Sequence, residues 1–193
     1  MLKITNAQFI TSAADKKQFI KSDKPVIAVC GKSNVGKSSF INMLAGRNKL
    51  AKVSKEPGRT RLVNYFDFGE FILADLPGYG YARVSKGEKE KWAQLLDGFF
   101  AEKCSRHVFA LCDIRHNPTE DDLQMAEYLY YNIIPFTILA TKADKLSKAA
   151  TGRSVQTIAS AYKCGVGDII VTSSETRQGL DRVLEKLETI LGK

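Results

Sequence analysis

The chain has 193 residues, 44% of them hydrophobic and 26% charged, with a formal net charge of +8. These are the proportions of a soluble globular protein of one domain, and no run is long enough to span a bilayer, which sets aside a membrane-embedded role. The positive balance fits a polyanionic partner or simply a solubilising surface, and charge alone does not choose between the two.

Residues 1–24 read as an N-terminal extension. Their repeated lysines surround no apolar centre, so neither a secretion signal nor an anchor is expected, and a cytoplasmic location is. Lys3–Ile10 alternates weakly and is a candidate edge strand, followed by a connector at Lys21–Pro25. Residues 25–193 read as one domain. It opens with the apolar run Val26–Cys30, a buried strand by its pattern. A helix is expected from Ser39, with Phe40, Met43 and Leu44 on one face. Asn64–Phe68 and Phe71–Asp75, separated by Gly69-Glu70, predict a hairpin that puts one antiparallel strand at the sheet edge. Further strands are predicted at His107–Asp113, Pro135–Thr141 and Asp168–Thr172. Helices are predicted near Lys86–Glu102, Thr119–Tyr131, Ser154–Tyr162 and Gln178–Leu191, the last with an apolar stripe of Leu180, Val183, Leu184, Leu187 and Leu191. Alternating strands and helices indicate an α/β fold in three layers, with a mostly parallel sheet of about six strands and helices on both faces. Cys30, Cys104, Cys112 and Cys164 have no close partner in sequence, so zinc and redox motifs lack support; Cys30 and Cys112 read as core.

The chemistry begins at Gly31-Lys32-Ser33-Asn34-Val35-Gly36-Lys37-Ser38, which satisfies every constrained position of a phosphate-binding loop between strand and helix. Its glycines let backbone N–H groups wrap phosphate oxygens, and the helix start, including Ser39, adds partial positive charge. Lys37 would neutralise the β- and γ-phosphates, and the Ser38 hydroxyl would ligate Mg²⁺. Asp75-Leu76-Pro77-Gly78 follows a strand: its carboxylate would hold Mg²⁺ through water and the Gly78 N–H would meet the γ-phosphate. Thr60, after Pro57-Gly58-Arg59, lies where a loop can bring a hydroxyl to Mg²⁺. Lys37, Thr60, Gly78 and Asn34 are the candidates for a catalytic role. Thr141-Lys142-Ala143-Asp144 also follows a strand. There the Asp144 carboxylate can accept from guanine N1–H and the exocyclic amine, a donor pair adenine lacks, and the Lys142 stem can cover the base. Thr172-Ser173-Ser174 ends the last strand and could offer backbone N–H to guanine O6. Motifs in this order, each at a strand end, indicate a protein that binds and hydrolyses GTP.

The same residues resemble the EngB family of ribosome-assembly GTPases, translation-factor-related P-loop GTPases, over about residues 5–190. The likeness rests on residues 31–42, Pro57–Thr60, Asp75–Ala82, the run from Asp113 to Pro118 with Asp121–Met125, Thr141–Lys145 and Ser173–Thr176. The resemblance implies a switch in maturation of the large ribosomal subunit, contacting rRNA and ribosomal proteins, with a link to normal cell division. It implies slow intrinsic turnover, stimulated by the ribosome or by potassium. A monomer is expected, with no DNA or membrane partner. Many small GTPases carry Gln directly after Asp-x-x-Gly to orient water; here Tyr79 stands there. Asn34 has two readings that its residues leave open, a surface loop residue or a ligand for a potassium ion beside the phosphates. Arg59 and Arg61 are candidate fingers or phosphate contacts. His107 reads as structural, His116 as a turn residue, and Trp92 as a helix anchor. The rival readings are an ATP-dependent P-loop kinase, which gives no reason for Thr141–Asp144, and a passive RNA-binding assembly factor with nucleotide as a structural ligand.

Overall fold

A computed structural model describes residues 2–52, 62–80, 86–102 and 105–193 of the chain. The strands are β1 (Gln8–Ala13), β2 (Val26–Gly31), β3 (Val63–Asp67), β4 (Ile72–Asp75), β5 (Ser105–Asp113), β6 (Phe136–Thr141) and β7 (Ile169–Val171). They form one sheet in the order β1-β3-β4-β2-β5-β6-β7. The five strands from β4 to β7 across the sheet run parallel, whereas β3 is antiparallel to both β4 and β1. β2 lies between two parallel partners with all six residues buried, which is why its sequence is an unbroken apolar run.

The helices are α1 (Lys37–Ala45), α2 (Lys86–Ala101), α3 (Glu120–Tyr131), α4 (Lys148–Tyr162) and α5 (Leu180–Leu191). α1 and α5 cover one face, where Phe40, Ile41, Val183 and Leu187 pack against Ile27, Val29, Phe109 and Leu111. α2 and α3 cover the other, with Leu95, Leu96, Phe99 and Leu129 against Val26, Ala28, Val108 and Ala110; α4 completes that layer through Ile158, Ala159 and Tyr162. Each large side chain taken fully out of water contributes about 1.5–3 kcal/mol, and Phe40, Phe71, Phe99 and Phe109 are all at or below 1% exposure. No helix among the described residues is long and apolar enough to cross a membrane.

Three expectations shift. The candidate edge strand of the N-terminal extension joins the six predicted strands as β1, making a seven-stranded sheet, and so moves β3 from the edge to an interior position. β1 itself starts later than the predicted Lys3–Ile10: it bulges between Phe9 and Thr11, and a bulge breaks the two-residue alternation from which a strand is read. α4 starts at Lys148 rather than Ser154. Gly152 interrupts the helical pattern at a cost of about 1 kcal/mol, but the Ser147 hydroxyl caps the Ala150 N–H and alanines follow, so the helix runs through it. α3 begins as its sequence indicates, at a Thr119–Asp122 capping box with three acidic residues in its first turn.

Candidate nucleotide-binding site

The turn from β2 into α1 has backbone demands that its glycines meet. Gly31 has φ +154°, and a Cβ there would lie 2.8 Å from the Leu111 carbonyl oxygen. Gly36, the residue before α1, has φ +109° and supplies no side-chain cap, leaving the first N–H groups of the helix without that competitor. Val35 is buried, Asn34 is exposed with φ +63°, and Lys32, Ser33, Lys37, Ser38 and Ser39 are half-buried. Beneath the loop, burial pushes the Cys30 thiol up to about 12. It is an inert part of the floor.

The segment after β4 lies directly on this loop. The Ser33 N–H donates to the Tyr79 carbonyl at 2.9 Å, and Leu76 N–H donates to Val29 at 2.9 Å. A Cβ on Gly78 would come within 3.1 Å of Lys37 Nζ and 3.3 Å of the Ser33 backbone, so only glycine packs there without displacing the loop. Lys37 Nζ reaches the Gly31 carbonyl at 3.4 Å, a long bond. Asp75 is 9% exposed, and its Oδ1 is buried with no hydrogen-bond partner among the described residues. Burial raises the Asp75 carboxyl, opposed by the Lys37 charge and a hydrogen bond from Asn64. Leu76 is 1% exposed, and the Pro77 carbonyl accepts the Trp92 indole N–H at 3.1 Å. Trp92 thus does more than anchor α2: it fixes the carbonyl beside Gly78. Tyr79 is buried edge-on to Trp92, and its hydroxyl donates to Asp122 Oδ1 at 3.0 Å. Pro57, Gly58, Arg59, Thr60 and Arg61 lie outside the described residues.

Across the ends of β6 and β7 lies the second group of candidate residues. Thr141 does not turn outward; its hydroxyl is shared between the Val35 carbonyl at 2.8 Å and the Cys112 carbonyl at 3.1 Å, tying this strand end to the phosphate loop. Lys142, at φ +65°, stretches its ammonium to the Asn34 carbonyl at 2.7 Å and to Asp113 Oδ2 at 2.8 Å. The stem therefore lies taut between two fixed ends. Ala143 is buried and donates its N–H to Thr172. Asp144 Oδ1 accepts from the Ser173 hydroxyl at 2.7 Å, and Oδ2 pairs with Lys145 at 2.9 Å. Lys145 first, then Ser173, lower the Asp144 carboxyl below its ordinary value, keeping it an acceptor. The Thr172 and Ser173 N–H groups are used on the Ala140 and Gln178 carbonyls, which moves the expected base-facing donor to Ser174.

Two contributors were not visible as site residues in the sequence. Asp113 belongs to the run that carried the family resemblance, yet nothing in that run announced that it would grip Lys142. Burial opposes its charge, but bonds from Arg115 and Lys142 hold its carboxyl well below the usual carboxylate range. Asn64 looked like an ordinary strand residue; the alternation placing it on the same face as Asp75 was the available signal. His107 is structural, as its position suggested: burial lowers it to about 4, and Nε2 lies 2.8 Å from the Thr137 hydroxyl.

The phosphate loop, the Asp75–Gly78 segment and the Asp144 loop therefore line one edge of the sheet, at the C-terminal ends of β2, β4, β6 and β7, the usual ligand edge of an open α/β sheet. Comparison with known proteins agrees. A family profile described as "50S ribosome-binding GTPase" matches residues 26–142. A probable GTP-binding protein EngB of Caldanaerobacter subterraneus is 40% identical, with all of both chains covered. One from Streptococcus thermophilus is 42% identical, covering all of this chain and 97% of the relative. Among solved structures, a probable GTP-binding protein engB superposes with a TM-score of 0.71 at 20% identity, over 86% of this chain and 98% of that one. Aquifex aeolicus Era bound to GDP·AlF₄⁻ gives a TM-score of 0.62 at 21% identity, over 86% of this chain and 56% of that one, a likeness of fold. With whole-length relatives at this identity and a GTPase profile over most of the sheet, the chain belongs to the EngB family of GTP-binding proteins and is a GTPase.

Proposed function

We propose that this GTPase is a cytoplasmic, Mg²⁺-dependent switch in the assembly of the large ribosomal subunit, and through it supports normal cell division. The observation that carries the switch reading is the contact between the phosphate loop and the segment that would sense the γ-phosphate. Gly78 packs on Lys37 and Ser33, and the Tyr79 carbonyl accepts a hydrogen bond from the Ser33 N–H. A γ-phosphate that draws the Gly78 N–H toward itself acts on a segment already hinged to α3 through Tyr79 and to α2 through Trp92. The ribosomal destination rests on the "50S ribosome-binding" description of the matching profile and on the net charge of +8.

The residues fit a magnesium ion. Asp75 Oδ1 is a buried carboxylate oxygen without a partner, an expensive arrangement that a cation or its water shell relieves. Ser38, in the first turn of α1, and Thr60 would supply hydroxyls, and Asp75 would act through water. Mg²⁺ there would supply positive charge to the β- and γ-phosphate oxygens. Lys37 adds a second fixed charge, and the N–H groups of residues 36–39 and of Gly78 would orient the triphosphate for in-line attack by water. With the Tyr79 hydroxyl committed to Asp122, orienting that water falls to other groups, in keeping with slow unaided turnover and stimulation by the ribosome.

The test is sedimentation of tagged protein with purified ribosomal subunits in GDP, in a non-hydrolysable GTP analogue and without nucleotide. Co-sedimentation with the large subunit only in the triphosphate form is the expected result. Equal binding in all three states would instead identify a passive RNA-binding factor, because a ligand shifts only an equilibrium whose states it binds unequally.

A further inference from the structure

Asp75 is not held by its own strand alone. Asn64 on β3 stands opposite Asp75 in the antiparallel register, on the same face of the sheet, and its side chain favours the ionised form of the Asp75 carboxyl. Ser12 on β1 stands opposite Asn64 in turn, and its hydroxyl donates to Asn64 Oδ1 at 2.6 Å. Residues opposed on antiparallel neighbours share a face, with Cβ atoms about 4.5–5.5 Å apart. Ser12, Asn64 and Asp75 therefore make one polar row from the sheet edge to the phosphate side. Along the same strands the next opposed pair, Phe66 with Leu73, is apolar and belongs to the core, so the polar row is a local departure from that face.

The row fixes an orientation. An asparagine amide carries one acceptor end and one donor end, and an ionised carboxylate can only accept. With its Oδ1 engaged by Ser12, the Asn64 amide presents its NH₂ to Asp75, the end a carboxylate needs. A donor placed there can restrain the carboxylate through its other oxygen, while Oδ1 stays buried without a partner among the described residues. Such outer partners set the direction in which a metal-side carboxylate aims its remaining lone pairs.

We propose that Asn64, oriented by Ser12, is a positioning residue for the magnesium-side carboxylate of Asp75, so that the N-terminal strand β1 is part of the metal site. This inference rests on the assignment of Asp75 to Mg²⁺ made above.

The experiment follows release of a fluorescent GDP as free Mg²⁺ is varied, with no turnover involved. In the wild type, Mg²⁺ should slow release. Asn64→Ala should raise the Mg²⁺ concentration for half-maximal slowing by about tenfold or more, the usual scale for an outer-sphere partner. Ser12→Ala should raise it by roughly threefold, within the range of one neutral hydrogen bond, and Ser12→Thr should restore it. Release in excess EDTA should stay within about twofold of wild type for all of them, since phosphate-loop contacts are untouched. An unchanged Mg²⁺ response in folded Asn64→Ala overturns the inference, as does a change equal in size with and without Mg²⁺, the mark of a merely structural residue. If Asn64→Ala does not fold, the Ser12→Ala and Ser12→Thr pair at the sheet edge decides: identical Mg²⁺ responses reject the row. Wild-type release indifferent to Mg²⁺ would remove the Asp75 assignment itself, a failure distinct from that of the row.

Discussion

The two ends of the nucleotide site are built on opposite principles. At the base end, charged groups already have protein partners: Asp144 has Ser173 and Lys145, and Lys142 has Asp113 and Asn34. At the phosphate end, Asp75 Oδ1 is buried without a partner among the described residues, and Lys37 rests on a long bond of 3.4 Å to a backbone carbonyl. A satisfied network holds its geometry before ligand arrives, so little ordering remains to be done on binding. An unsatisfied buried group raises the energy of the empty state and is relieved only when ligand completes it. On the function proposed above, recognition of the base would belong to a rigid half, and sensing of the γ-phosphate to the half left incomplete.

The largest effect expected from this contrast is at Asp144. Asp144→Asn keeps the acceptor for Ser173 but replaces the oxygen facing Lys145 and the base by a donor. Two hydrogen bonds to a charged group are lost, each worth about 1.5–3 kcal/mol, so GDP affinity should fall by roughly 10²-fold or more. Titration calorimetry with GDP and xanthosine diphosphate is the measurement. GDP should weaken while the xanthine nucleotide gains, because it offers an acceptor where guanine offers its amine. Unchanged GDP affinity would show that base recognition does not run through this loop.

Next in size is Asp113, which tests whether the base end is rigid because of its ion pairs. Asp113→Ala leaves Lys142 held by the Asn34 carbonyl alone. At 28% and 16% side-chain exposure this pair is sheltered enough to matter, and about tenfold weaker GDP binding is expected. The Arg115 arm, at 38% exposure, should contribute little. Because the folded Asp113 carboxyl lies below its ordinary value, its contribution is complete above the unfolded pKa of about 3.9. It is lost as pH falls through the depressed folded value. GDP affinity of the variant equal to wild type near neutrality would mean that Lys142 needs no clamp.

Much of this contrast was legible in the sequence, and unevenly so. Local rules produced β2, the phosphate loop and α3, because an apolar run, two glycines with demanding φ and a capping box each act over a few residues. Gly78 reads in the sequence as a candidate phosphate contact, but its close packing against Lys37 was not legible, since that contact joins segments far apart in the chain. Thr141 read as a base residue and instead ties its strand to the Val35 carbonyl, a role set by register between β5 and β6. The β1 bulge displaced the candidate edge strand from Lys3–Ile10 to Gln8–Ala13, and so kept the row from Ser12 to Asp75 out of sight.

The smallest effect tests the incomplete half. Tyr79 occupies the position where other GTPases orient water, yet its hydroxyl donates to Asp122 Oδ1 while Asp122 Oδ2 accepts from Thr119 at the start of α3. The capping box does not depend on Tyr79, so Tyr79→Phe should preserve α3 and cost about 1 kcal/mol for one buried hydrogen bond. Thermal unfolding should shift down by a few degrees, on the order of 2–4 °C for a domain of this size. Intrinsic GTP hydrolysis, measured on the purified variant, should remain within about twofold of wild type, because removing an oxygen aimed at Asp122 takes nothing from the reacting phosphate. Loss of hydrolysis with unchanged stability would invert the argument: the Tyr79 hydroxyl would then have to leave Asp122 in the triphosphate state and act on water. The phosphate end would in that case be incomplete in its catalytic group as well as in its metal ligand.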